Sequence, residues 1–134
     1  MAHVGRMLAV AVPMCCGSVS AASLAGTEWQ PERMGKLAVP PESSAFIQFR
    51  SHGRLAGYSG CNRLMAQYRI QDSAIFIGPV AATRMSCAGT VMAREAALAT
   101  ALERARTFRR QRTELVLFDA AGQPILELRQ TDWD

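Results

Sequence analysis

Through much of this chain apolar and polar residues alternate with a period of two, and a single stretch shifts to a helical period. Ile47 and Phe49 fall opposite Gln48 and Arg50, the pattern of a strand with one face buried. Phe46 interrupts it. Ser51, His52 and Gly53 read as a turn, and residues 54–59 resume the extended pattern, which predicts a hairpin. Further on, Leu64, Ala66, Tyr68 and Ile70 share one face while Arg63, Gln67 and Arg69 lie on the other. Gln71, Asp72 and Ser73 turn the chain, and residues 74–77 form another apolar strand ahead of Gly78 and Pro79.

The period changes after Thr90. Val91, Leu98, Leu102 and Ala105 fall near one stripe at helical spacing, among alanine, leucine, glutamate and arginine, which favour a helix. Thr90 is read as the N-cap, and the helix is expected to end near Arg106. Thr107 and Phe108 begin another extended stretch, and residues 114–118 and 124–129 form a second hairpin across a turn at 119–122. Residues 23–29 lead into a first strand, with Trp29 as a core anchor. Pro31 is expected to stop that strand, and residues 31–44, which hold Pro31, Pro40 and Pro41, to cross the surface as a loop. Strands on both sides of one helix predict an α+β fold: a small curved antiparallel β-sheet, barrel-like, with one α-helix packed against it.

With 134 residues, 49% of them hydrophobic, the chain fits one domain. Its first part reads as an export signal. His3 and Arg6 give a weakly basic start, residues 7–16 are apolar apart from Pro13, and Gly17-Ser18-Val19-Ser20-Ala21-Ala22 supplies small residues for cleavage. Residues 1–22 are therefore expected to be a cleaved signal peptide, cut after Ala21 or Ala22, and residues 23–134 the mature domain. The apolar run is shorter than the roughly 20 residues that span a bilayer. Cys15 and Cys16 raise the alternative of a lipid anchor, although Val12-Pro13-Met14 lacks the small residue such a site wants. The expected location is periplasmic or otherwise extracytoplasmic, with membrane contact only through that anchor.

Charge adds little. The chain carries a formal +4, lowered by one when Arg6 leaves with the signal. Arg104, Arg106, Arg109, Arg110 and Arg112 cluster, and such a run suits phosphates or an anionic surface. Only Phe108 is interleaved for base stacking, and with export this argues against nucleic acid.

Cys61 and Cys87 remain in the mature domain, and in an oxidising compartment such a pair is expected to form a disulfide. Closing a loop of that length stabilises by about 3 to 4 kcal/mol in the chain-entropy model. The alternatives are two buried thiols behaving as small hydrophobes, or a nucleophilic Cys61 activated by His52. A zinc site matches no ligand spacing here. The carboxylates form no acid and base pair, and there is neither a phosphate-cradling glycine loop nor a Ser/His/Asp signature. The expectation is a protein that is not an enzyme, with no catalytic residue, metal or cofactor. Asn62 beside Gly60 suits a bend, and Arg63 a polar contact to a neighbouring strand, with a ligand-facing role as the alternative for both. Met65, Met85 and Met92 either fill the core or line an apolar pocket.

Read in order, the motifs resemble a known family. Leu24-Ala25-Gly26-Thr27-Glu28-Trp29 opens the series and Phe49-Arg50-Ser51-His52-Gly53-Arg54-Leu55-Ala56-Gly57 leads into Gly60-Cys61-Asn62-Arg63. Tyr68, Thr83-Arg84-Met85-Ser86-Cys87, a helix with Glu95 and Leu102, and a last hairpin with Leu115 and Leu117 follow. This order resembles the META domain, also called the HslJ-like domain. Leu64, Met65 and Ser86 depart from its usual residues. The resemblance implies a small curved antiparallel sheet with a helix against it, export or lipid anchoring, and association with envelope stress and resistance without a defined reaction. It makes Gly60, Asn62, Arg63, Tyr68, Thr83 and Met85 the family motif and the candidate binding surface. The expected function is non-enzymatic binding of a small hydrophobic ligand or an envelope protein, as a monomer. A structural or assembly partner in the envelope, or an enzyme using Cys61, are the alternatives.

Overall fold

A computed structural model describes residues 24–132; the expected signal peptide, its expected cleavage sites and Cys15 and Cys16 lie outside them. The strands are β1 (Thr27–Met34), β2 (Leu37–Ala38), β3 (Phe46–Arg50), β4 (Arg54–Tyr58), β5 (Arg63–Gln71), β6 (Ala74–Ile77), β7 (Ala81–Ala82), β8 (Thr107–Gln111), β9 (Glu114–Phe118) and β10 (Pro124–Gln130), with one helix, α1 (Gly89–Arg104), between β7 and β8. Neighbours pair antiparallel in the order β10-β9-β8-β6-β5-β4-β3-β1, and β10 pairs again with β1. The sheet thus closes into an eight-stranded antiparallel barrel. Two short strands extend it, β2 beside β1 and β7 beside β5. Closure removes the open edges that a sheet of this length would otherwise expose.

Alternation explains the closure. Ile47, Phe49, Leu55, Leu64, Ile75, Leu115, Leu117, Leu126 and Leu128 all point inward and are buried, as strand periodicity requires. Together with Trp29 they fill the barrel, so the interior is a packed core. Gly57 also faces inward, where a Cβ would meet the Phe46 carbonyl oxygen at 2.8 Å. The helix packs against β1, β6 and β10 and buries Leu98, Ala101 and Leu102 in the same core. Leu24, fully buried, accepts from the amide and hydroxyl of Thr27 through its carbonyl, where β1 begins. The weakest seam is between β6 and β8, where Ala74 faces Thr107 and two backbone bonds flank them, from Ile75 to Arg106 and from Phe108 to Ser73.

The α+β barrel, both hairpins and the helix agree with the sequence expectation. Two local readings do not. Pro31 does not stop the first strand: β1 runs on to Met34 and turns back through Gly35 into β2, inside the stretch expected to be a loop. Proline is tolerated because β3 pairs with β1 only as far as Trp29, and the register with β10 shifts between Pro31 and Arg33, the irregular setting where a strand accepts a missing N–H. Thr90 is not the N-cap either. The cap position is Ala88 with no side-chain bond, and its carbonyl accepts from Val91 and Met92, which places Thr90 inside the first turn.

Candidate functional site

Between β4 and β5 the chain makes a tight bend at Ser59-Gly60-Cys61-Asn62. Gly60 has φ of 101°, a region that residues with a Cβ seldom adopt, and a Cβ there would sit 3.1 Å from the Ser43 carbonyl oxygen. The Ser59 amide donates to the Asn62 carbonyl at 2.9 Å. The Ser59 hydroxyl accepts from the amides of Cys61 (3.1 Å) and Asn62 (2.9 Å) and donates to Glu95 Oε1 at 2.7 Å. One serine thereby satisfies the bend and reaches the helix.

Asn62 is the centre of this node and is 1% exposed. Its Oδ1 accepts from the Met85 amide at 2.7 Å and the Thr83 hydroxyl at 2.9 Å. Its Nδ2 donates to the Met85 carbonyl at 3.1 Å and to Glu95 Oε1 at 3.0 Å. An amide side chain offers two donors and two lone pairs, and all four are used. Toward Met85 it bonds both the N–H and the C=O, as a neighbouring strand would. Thr83 adds a backbone exchange, its amide donating to the Arg63 carbonyl at 3.1 Å and its Oγ1 accepting from the Arg63 amide at 3.1 Å. A disulfide joins Cys61 to Cys87, with Cα atoms 6.1 Å apart, within the usual span of such a bond. Bend, crossing segment and helix are thus tied by one covalent and several polar links.

Five of the eight residues singled out from sequence, Gly60, Cys61, Asn62, Thr83 and Cys87, lie in this node, and Met85 enters it through its backbone. The Met85 side chain is 62% exposed. Arg63 points outward from β5, one residue beyond the buried Asn62. Tyr68 stands apart. Its ring meets Phe49 edge to face at a centroid distance of 5.0 Å, its hydroxyl donates to the Arg50 carbonyl at 2.7 Å, and burial raises its pKa above the ordinary tyrosine value. Sequence reasoning did not single out Ser59, and it named Glu95 only as part of the helix. His52 occupies an exposed turn at φ of 62°, with Nδ1 3.3 Å from the Ser51 hydroxyl oxygen. Among the described residues no group of three or more His, Cys, Asp or Glu is placed to hold a metal ion.

Outside the barrel, the same strands form a second feature. Cross-strand pairing puts Phe46 beside Tyr58 and Tyr58 beside Arg63, and in the next row Gln48 beside Ala56 and Ala56 beside Met65. All of these side chains belong to the outward set. Small Ala56 between larger neighbours leaves a trough of about 600 Å³, lined also by Arg50 and Thr83. The Phe46 and Tyr58 rings lie 6.2 Å apart, and Met65 is 52% exposed. Phe46, the apolar residue that interrupts the alternation of its strand, stands at an outward position of β3 on this trough.

The META domain family model matches residues 22–132. The chain belongs to the META domain family. Solved structures share the fold of this META domain. One described as an NMR structure of a protein from Burkholderia xenovorans is 21% identical, with a TM-score of 0.67 over 91% of this chain and all of the other. A crystal structure of a DUF4847 family protein from Bacteroides vulgatus is 12% identical, with a TM-score of 0.60 over 83% of this chain and 96% of the other. A search of curated proteins found no match.

Proposed function

We propose that this META domain is a non-enzymatic binding module whose outer trough on β3, β4 and β5 takes a small hydrophobic ligand or an extended apolar segment of an envelope protein. The observation that carries the reading is the solvent-facing set of Phe46, Tyr58 and Met65 around Ala56. Apolar side chains gathered in a concave site with a few polar groups at its margin are what ligand sites are made of, and an unbranched methionine adapts to varied ligands. Gln48, Arg50 and Arg63 supply those polar groups. The buried node supports the same reading from the other side. Every hydrogen-bonding group of Asn62 is taken by the protein itself and Cys61 is bonded to Cys87, so the motif acts as a brace that keeps the trough's strands in place. The leader-like start of the chain supports a location outside the cytoplasm for this binding.

Titration with an environment-sensitive hydrophobic dye tests the reading. The expected outcome is saturable binding that Met65→Glu and Ala56→Trp abolish while the thermal transition is retained. Dye binding that both variants leave unchanged would refute the trough as the site. Intact mass of the exported protein, with and without reductant and alkylator, tests the compartment: the expected species lacks the first residues and takes up alkylator only after reduction.

A further inference from the structure

A different face of the barrel carries arginines that form no ion pair among the described residues. Where β5, β6, β8 and β9 meet, Phe76 stands outward and is 44% exposed. The guanidinium of Arg69, its register partner on β5, lies 5.0 Å from the ring centroid, and that of Arg106 lies 5.7 Å from it. On the adjoining strands Arg109 lies 5.4 Å from the Phe118 ring. Arg69, Arg106 and Arg109 form no ion pair with a carboxylate among the described residues; Arg106 donates only to the carbonyls of Glu103 and Ala105. Two of the nearby acidic groups are committed elsewhere, while Asp72, in the turn between β5 and β6, and Glu127 form no ion pair among the described residues. Asp119 pairs with Arg104, Glu103 accepts from the Val80 amide, and Glu127 sits across β9 from Arg109, opposite Val116.

From this arrangement we propose that the face formed by Arg69, Arg106, Arg109 and Phe76 docks the domain onto an anionic lipid surface, without any covalent anchor. Three guanidiniums free of ion pairs on a convex barrel wall suit a planar array of phosphate groups, which basic side chains bind electrostatically and, for arginine, in bidentate fashion. Phe76 supplies the apolar contact that lets such a surface enter the headgroup layer. A nucleic acid fits less well. Base stacking needs a free aromatic face, whereas guanidiniums lie over the Phe76 ring and leave its edge as the part to present. The proposal is independent of the trough, which lies over β3, β4 and the start of β5.

Co-sedimentation of the purified protein with phosphatidylcholine vesicles, with and without phosphatidylglycerol, tests it. Binding is expected only when phosphatidylglycerol is present, and it should weaken as salt rises. Arg69→Gln, Arg106→Gln and Arg109→Gln should each weaken binding about fivefold, and on the order of a hundredfold together. Phe76→Ser should weaken it roughly fivefold. Arg109→Glu, a single exposed change, gives a well-folded comparison should the triple variant melt early. Equal binding to both vesicle types, or anionic binding that Arg109→Glu and Phe76→Ser leave unchanged, would overturn the proposal. So would binding to heparin or single-stranded DNA with none to vesicles. Met65→Glu, which breaks the trough, should not affect vesicle binding, so failure here is distinct from failure of the trough.

Discussion

The buried node around Asn62 and the open trough around Met65 come from one continuous run, residues 58–65, yet they obey opposite rules. In the node, polar groups are inside and each is matched by the protein: Asn62 by Thr83, Met85 and Glu95, and Ser59 by Glu95 and two amides. In the trough, apolar groups are outside and are matched by nothing in the barrel. A buried polar group without its partner costs free energy, so the node is matched throughout. An exposed methionine and two aromatic rings cost the fold little, and the trough is therefore free to serve binding. The motif that identifies the family lies mainly on the first side of this divide. What it preserves is the attachment of residues 83–87 and the helix to the barrel.

Breaking the covalent part of the node should have the largest effect. Replacing Cys61 and Cys87 by alanine is expected to lower stability by about 3 to 4 kcal/mol, the loop-closure value for this span, measured by guanidinium unfolding; a loss below about 1 kcal/mol would mean the cross-link constrains little. Asn62→Ala follows at about 3 kcal/mol, because it strips partners from Thr83, Met85 and Glu95 at once. Asn62→Asp separates hydrogen bonding from shape: it keeps the acceptor for Met85 but faces the Glu95 carboxylate with a second negative charge, and it should unfold more easily than wild type as pH rises through the carboxylate range. Gly60→Ala should cost roughly 1 to 3 kcal/mol from backbone strain at its positive φ. In the trough, Met65→Ser and Tyr58→Ser should change stability by only about 0.5 kcal/mol, read by thermal melting, while weakening dye binding. A large stability loss from the trough variants would erase the distinction.

Much of this architecture could be read from the residues. Alternation at 46–50, 54–58 and 63–71 gave strands whose inward sets fill the barrel, and the helical stripe at Leu98 and Leu102 gave the helix that packs on it. Pairing of Cys61 with Cys87 was expected because they are the two cysteines beyond the stretch read as a leader. The continuation of β1 past Pro31 was hidden because tolerance of proline depends on where the neighbouring strand ends, which is a tertiary fact. The node was hidden for a related reason. The side-chain partners of Asn62 lie 21 to 33 residues away, and no local pattern announces that a helical glutamate will meet a turn asparagine. The short strand β7 was missed since two alanines carry no periodicity. The trough required knowing which outward residues become cross-strand neighbours, and only the register supplies that.

Asn62 and Arg63 adjoin in the chain and differ in which side of the barrel wall they occupy, so melting Asn62→Ala beside Arg63→Ala tests the division between brace and surface most directly. The account predicts a fall of about 10 °C for Asn62→Ala and of no more than about 2 °C for Arg63→Ala. Equal falls, or a larger one for Arg63→Ala, would contradict it.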